Sequence, residues 1–319
     1  MDTEKKLYVR LNINQTLLNI GARMKEYLSL VKHVLENGRL STNRTNEDTL
    51  ECFGYHYKIF VGKKIPLLTT KKMNYQAVFD EVEWYLSGDN HIRNLRDKTK
   101  IWNNWADKDG NLETSYARFW RKFPLPIKPI DTYDGEAFCD RTIPWVSRDK
   151  NTCAFVVDQI KYIVDILEEA RVNPSVEQKR RLVLTAWHPG NATISKLPPC
   201  HLMAIFNIDE SKNELNCHLT QRSGDIGLGV PFNMAAYSLL LRLIANQTGY
   251  NTGWFSHLIV NAHIYMNHVE ALKEQIKRTP KNMPTLYIKK GVTVDNFKGS
   301  DAKIFGYSPY AKVKMKVSV

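Results

Sequence analysis

Between Met234 and Thr248 the chain reads MAAYSLLLRLIANQT, in which Arg242 is the only charged side chain. Wound into a helix of 3.6 residues per turn, this segment is apolar on nearly every side, so the rest of the protein must enclose it. It is too short to cross a bilayer, which takes roughly 20 apolar residues, and no other stretch approaches that length. A buried helix is therefore the first element of the fold, and the remaining segments must cover it. Residues 78–86 read as a helix closing at Gly88, and residues 158–171 as an amphipathic helix ended by Asn173-Pro174. Leu17, Leu18, Met24, Leu28, Val31, Val34 and Leu35 also recur at helical spacing, with Gly38 as the stop.

Aromatic and β-branched residues crowd positions 49–61 ahead of Lys63-Lys64, which predicts strands there. Residues 182–187, 202–208 and 214–221 alternate or run apolar in the manner of neighbouring strands. Strands and helices in no repeating βαβ order indicate an α+β fold. Residues 123–152 carry four prolines and little periodicity, and read as a long surface excursion. The chain has no repeats, low-complexity tracts or Gly/Ser linkers. The expected organisation is an N-terminal extension over 1–24 and one domain over 25–319.

With 319 residues, 43% of them hydrophobic, the chain can bury a sizeable core. Its start, MDTEKKLYVRLNINQ, lacks the apolar core of a signal peptide. Five cysteines (Cys52, Cys139, Cys153, Cys200 and Cys217) are odd in number, scattered and free of C-x-x-C pairing. That disfavours a disulfide framework and a metal site, and the expected location is a reducing compartment, the cytoplasm, of a host cell if the source is viral. The net charge of +12 invites a nucleic-acid reading. The basic residues form only short clusters, such as Lys179-Arg180-Arg181, so a solvated basic surface is favoured over duplex binding. A nucleotide phosphate and a polyanionic cofactor tail would suit the same surface.

Chemistry concentrates in two places. Cys200, in Leu197-Pro198-Pro199-Cys200-His201, follows a proline-rich turn and precedes an apolar strand. A thiol held rigidly beside a polar ring can act as a nucleophile, although an isolated Cys near a strand is more often buried packing. The second is Gln221-Arg222-Ser223-Gly224-Asp225, leading through Gly227-Leu228-Gly229 to Asn233. An Arg-Ser pair chelates a phosphate by charge and by a directed hydroxyl. Glycines let backbone approach a ligand closely. Asn233 offers one donor and one acceptor, which complement O4 and N3–H of uracil but not the edge of cytosine. Taken alone, Asn233 would be an ordinary helix cap.

In this context the sequence resembles the thymidylate synthases from about residue 25 to the C-terminus. The matching motifs are Arg44-Thr45, Leu67-Leu68-Thr69-Thr70-Lys71-Lys72, residues 81–89, Ile101-Trp102-Asn103-Asn104-Trp105-Ala106-Asp107, Tyr116 with Trp120-Arg121, and Arg180-Arg181. Pro199-Cys200-His201, residues 221–233, His263-x-Tyr265 and the ending Met315-Lys316-Val317-Ser318-Val319 complete the set. The resemblance implies a single catalytic domain with a large mixed sheet and flanking helices, dimerising through the sheet. It implies deoxyuridylate as substrate and 5,10-methylenetetrahydrofolate as cosubstrate, with no metal, no membrane and no nucleic-acid substrate. Cys200 would attack C6 of uracil, and C5 would then take the folate's methylene. Arg44, Arg222 and Ser223 would clamp the phosphate, joined by Arg180 and Arg181 from the other subunit of a homodimer. Asn233 would select the base, Gln221 and Asp225 would also bind the substrate, and His263 and Tyr265 would hydrogen-bond the 3′-hydroxyl. Glu81 would organise proton transfer through water, while Tyr116 and His201 would support deprotonation at C5. Lys71, Trp102, Trp105, Asp225 and Gly229 would line the folate side, with Asp225 reading the pterin. Val319 would close the site.

Four departures fall within these motifs. The turn after Arg44 reads Asn46-Glu47-Asp48 instead of Gly-Thr-Gly, and Tyr-Gly becomes Tyr116-Ala117. The Gly-Asp before the nucleoside-binding histidine becomes Val260-Asn261, and Glu83 replaces an apolar residue before Trp84. The Glu-x-Glu-Trp-Tyr pattern resembles the phage deoxycytidylate hydroxymethylases, in which water adds to the exocyclic methylene and tetrahydrofolate leaves. Extra polarity near the site would hold that water, while Asn233 retains uracil. The expectation is narrowly a uracil-reading hydroxymethylase, of the kind found in phages that replace thymine in their DNA. Methylation by a synthase is the alternative, and nucleic-acid binding without catalysis is the rival from another class.

Overall fold

The computed structural model describes residues 23–43, 47–112, 116–125, 145–148 and 155–317. Helix α1 (Lys25–Asn37) leads into the paired strands β1 (Arg39–Ser41) and β2 (Thr49–Phe60). Helices α2 (Tyr75–Ser87) and α3 (Tyr116–Arg121) follow, then β3 (Phe123–Pro124), β4 (Val146–Arg148) and β5 (Phe155–Val157). Next come α4 (Gln159–Val172), β6 (Val183–Thr185), the single-turn α5 (Pro189–Ala192) and β7 (His201–Asp209). The chain continues through β8 (Glu214–Asp225), α6 (Gly229–Thr248), β9 (Asn251–Tyr265) and α7 (Val269–Ile276). It ends with the antiparallel pair β10 (Thr285–Ile288) and β11 (Ala302–Phe305).

The main sheet has the order β1-β2-β9-β8-β7-β6 and is antiparallel except for β8–β9. A parallel neighbour demands a crossover, and α6 supplies it. This is the apolar segment that the sequence requires to be enclosed: every residue from Met234 through Leu241 is buried. Helix α6 lies on β8 and β9 and also packs against α2 and α4. The guanidinium of its one charged residue, the half-buried Arg242, donates from Nη1 to Gly62 O and Thr252 Oγ1. Gly249 ends the helix in the left-handed region at φ 78°, where a side chain would be strained.

Alternation along the long strands sorts the sheet into two faces. Leu215, Cys217, Leu219 and Gln221 of β8 and Phe255, His257 and Ile259 of β9 are buried. The intervening His218, Thr220, Arg222, Ser256, Leu258 and Val260 are only half-buried. On β2, Phe53 is 91% exposed.

Most expected elements form near their predicted bounds. Gly88 closes α2 at φ 71°, and the Asp158 side chain caps α4 by accepting from Lys161 N. The described ends of the 123–152 excursion form the short strands β3 and β4, both paired with β5. One reading needs correction. Asn233 is not a cap, because α6 begins at Gly229 and Asn233 lies inside its second turn. Residues 1–22, including Leu17 and Leu18, and residues 126–144 and 149–154, including Cys139 and Cys153, lie outside the described residues. Among the described residues no helix is long and apolar enough to cross a membrane.

Candidate active site

Two prolines fix the backbone that delivers Cys200. Their carbonyls cannot enter the sheet at this turn, and Arg222 on the adjoining strand satisfies both. Arg222 Nε donates to Pro199 O at 2.9 Å and Nη2 to Pro198 O at 2.7 Å, while its backbone N–H donates to Cys200 O at 2.9 Å. The guanidinium is thus held on the turn that carries the thiol, 5.9 Å from the centre of the Trp187 ring. From the other side the Tyr116 hydroxyl accepts the backbone N–H groups of Cys200 (2.7 Å) and His201 (3.2 Å). Tyr116 also stacks on the His201 ring, with centroids 4.6 Å apart. Burial, helped by the Arg222 charge and opposed by Asn233, pushes the His201 imidazole down to about 3, so it is neutral at physiological pH. Burial and the neighbouring Cys200 push the Tyr116 phenol far up.

Beyond Tyr116 lies a buried carboxyl. Glu81 Oε1 accepts from Trp102 Nε1 at 2.8 Å and from Tyr85 OH at 2.9 Å. Burial raises its pKa, and these two donors hold it back. Trp102 is buried against Tyr116 and Trp84, and Trp105 is half-buried one turn further on.

A second polar group gathers where β8 meets α6. Asp225 Oδ1 accepts from Gly227 N (2.8 Å) and Leu228 N (3.3 Å) and lies 3.7 Å from His268 Nδ1. Burial alone would raise the Asp225 pKa, but His268 and His263 bring it below the ordinary carboxylate value. For His268, burial is outweighed by Asp225, and the pKa is raised. His268 Nε2 also meets the Lys316 carbonyl of the C-terminal segment at 2.7 Å. Lys71 donates to Gly227 O, and burial, opposed by Asp225, brings its amine down to about 8. A Cβ at Gly227 would collide with the His268 ring, whereas one at Gly229 would make ordinary contacts with Asp225 and Asn233. Pairing of β8 with β9 sets Ser223 beside Asn261 and Asp225 beside His263. His263 Nδ1 is 2.9 Å from Asn261 Oδ1 and 3.4 Å from Ser223 Oγ, and its ring meets Tyr265 edge-on. Gln221 Nε2 donates to Asn233 Oδ1 at 3.0 Å.

Other expected residues lie elsewhere. Arg180 and Arg181 are exposed around the end of a 3-10 turn (Glu177–Arg180), where Arg181 pairs with Glu177. Arg44 and Val319 lie outside the described residues, as does Asn46. Glu83 does not lend polarity to the site. Two residues along a helix turn it by about 200°, so Glu83 points away from Glu81. It meets Lys98 at 2.8 Å, Lys298 at 3.5 Å and the Gly299 N–H at 2.8 Å. A surface cleft of about 570 Å³ opens on that outer side, lined by Asp80, Glu83, Arg93 and Lys98. Asn261 is occupied by Glu51 (2.8 Å) and His263, Ala117 is buried, and Glu47 accepts from Asn267 N. Sequence reasoning missed Tyr85, His257 and His268, whose parts depend on contacts distant in the chain.

The thymidylate synthase family model matches residues 25–319. The chain belongs to the thymidylate synthase family. A thymidylate synthase of Haloferax volcanii is 45% identical over 253 residues, which cover 78% of this chain and 69% of that relative. Enzymes of this family transfer a one-carbon unit from methylenetetrahydrofolate to C5 of deoxyuridylate and act as homodimers. Among the described residues no group of three or more His, Cys, Asp or Glu side chains is arranged to hold a metal ion.

Proposed function

We propose that this enzyme methylates deoxyuridylate to thymidylate, with Cys200 as nucleophile and methylenetetrahydrofolate as donor of both the carbon and the hydride. The observation that carries the reading is the Cys200 turn, braced by Arg222 on one side and Tyr116 on the other. As its thiolate, Cys200 adds to C6 of uracil and makes C5 nucleophilic. C5 takes the folate's methylene, and the C5 proton leaves through water supported by Tyr116 and neutral His201. Loss of the folate as a leaving group opens an exocyclic methylene, which accepts hydride as the tetrahydropterin is oxidised to dihydrofolate. Cys200 is then expelled from C6.

Glu81, whose pKa burial raises, relays protons toward O4 and the folate. Arg222 and Ser223 bind phosphate, with Arg44, and Arg180 and Arg181 reach it from the second subunit. Asn233 selects uracil with Gln221, and His263 and Tyr265 receive the 3′-hydroxyl. The residues on the folate side suit a reduced pterin. Asp225 is ionised and spends one oxygen on backbone donors, which leaves the other for the ring's N–H groups. Trp102, Trp105, Lys71 and Gly229 would complete the folate side, and Val319 would close it. The half-buried sheet face, with Phe53 exposed beside it, suits a homodimer formed through the sheet.

Reduction is favoured over hydration on two grounds. A relative that matches most of the chain is a thymidylate synthase, and Glu83 faces outward instead of toward C5. Incubation with deoxyuridylate and methylenetetrahydrofolate, followed by mass spectrometry of both products, tests the reading. Thymidylate with dihydrofolate is expected. Hydroxymethyl-deoxyuridylate with tetrahydrofolate would replace it with the hydroxymethylase, and full activity in Cys200→Ala would remove the covalent mechanism.

A further inference from the structure

A chain of hydrogen bonds, buried at its start and partly buried at its end, runs from β2 through β9 and β8 to the base-reading side chain on α6. The Tyr57 hydroxyl is 2.7 Å from His257 Nδ1, and His257 Nε2 is 2.9 Å from Gln221 Oε1. Gln221 Nε2 reaches both Ser223 O at 2.9 Å and Asn233 Oδ1 at 3.0 Å. Tyr57, His257 and Gln221 are all buried, His257 completely. We propose that His257 is a positioning residue for base selection, holding Gln221, and through it Asn233, in the one orientation that reads uracil. The proposal rests on Asn233 being the base-selecting residue.

The direction of the chain follows from its fixed end. Ser223 O is a backbone carbonyl and can only accept, so the Gln221 amide must turn its nitrogen toward Ser223 and Asn233. Its oxygen then faces His257, whose Nε2 must carry a proton to donate to it. Burial keeps the His257 ring neutral, so it has one proton to place. Nδ1 is left as an acceptor, and the Tyr57 hydroxyl donates to it.

At the other end, Asn233 Oδ1 receives a proton from Gln221. That assignment leaves the Asn233 nitrogen, beside His201, as the donor to O4 of uracil, and a second lone pair of Oδ1 to accept from N3–H. Cytosine offers the reverse pattern, an amino donor at C4 and a bare N3. To read it, Asn233 would have to flip and set its NH2 against the NH2 of Gln221, donor against donor. Gln221 cannot flip in response without opposing its own oxygen to Ser223 O and its nitrogen to the His257 Nε2–H. The choice of base thus depends on a ring that touches no substrate.

The test compares His257→Leu, which removes the donor to Gln221, with His257→Gln, which retains an Nε2–H donor. The readout is the ratio of kcat/KM for deoxyuridylate to that for deoxycytidylate. His257→Leu should lower this ratio about tenfold or more, the effect of leaving one buried polar group unpaired, while His257→Gln stays close to wild type. Independently, 15N NMR of histidine-labelled wild type should show the His257 ring protonated at Nε2, assigned by the loss of its signals in His257→Gln. A folded His257→Leu with an unchanged ratio, or a wild-type ring protonated at Nδ1, would overturn the proposal. If His257→Leu does not fold, collapse of the ratio in His257→Gln would overturn it equally. Failure of the underlying function looks different: wild type would yield no C5-substituted product from deoxyuridylate.

Discussion

Replacing Glu83 by Gln separates its structural part from any part in the reaction. The carboxylate accepts the Gly299 N–H at 2.8 Å and meets Lys98 at 2.8 Å and Lys298 at 3.5 Å, with its own side chain 16% exposed. Burial alone would raise the Glu83 pKa, but these partners together bring it below the ordinary value of 4.5. A lowered carboxylate pKa means stabilisation that is fully present above 4.5 and is lost as pH falls through the folded value. Glutamine keeps an acceptor for Gly299 but loses the charge. Lys98 and Lys298 are 41% and 67% exposed, so solvent screens both pairs. The expected cost is about 1 kcal/mol at neutral pH. Urea denaturation of both proteins at neutral pH and below the folded Glu83 value should show this gap closing in acid. Product analysis should show the same nucleotide from both. Hydroxymethyl-deoxyuridylate from wild type that disappears in Glu83→Gln would refute the outward role assigned to this residue.

Tyr85→Phe removes one of the two donors that hold down the Glu81 pKa, so the acid limb of the kcat–pH profile should move to higher pH; an unmoved limb argues against Glu81 titrating in the rate-limiting step. His268→Ala releases the Lys316 carbonyl, and trypsin should then cut after Lys312 and Lys314 faster than in wild type. Because the His268 pKa is raised above 6.5, its charge-dependent hold is full below that pH and weakens as pH rises through the folded value. The difference between the two digests should narrow over the same range. Leu240→Ala, at a fully buried position of α6, should cost about 3 kcal/mol in denaturant unfolding, and a loss under about 1 kcal/mol would mean the site collapses around the deletion.

The parts of the fold legible in the sequence are those whose pattern is local. The run from Met234 to Leu241 can be nothing but an enclosed helix, and Gly88 and Asp158 mark helix ends through backbone chemistry visible in a few residues. Strand β9 is not legible: Gly253, His257, Asn261 and His263 break its alternation, and its strand character comes from pairing with β2 and β8 together. At the site, Cys200, Arg222 and Asn233 announce themselves by motif. Tyr85, His257 and His268 do not, since each matters through one partner that only the folded chain supplies. Glu83 misleads for the same reason. Its closeness in sequence to Glu81 suggests closeness in space, whereas helical geometry sets the two carboxylates on different faces.

The central claim, that the transferred carbon is reduced and not hydrated, is tested most directly by following the hydride. Methylenetetrahydrofolate carrying deuterium at the pterin carbon that surrenders hydride should give thymidylate with one deuterium in its methyl group, together with unlabelled dihydrofolate. A nucleotide product without deuterium, bearing instead an oxygen atom taken up from isotopically labelled water, would contradict the account.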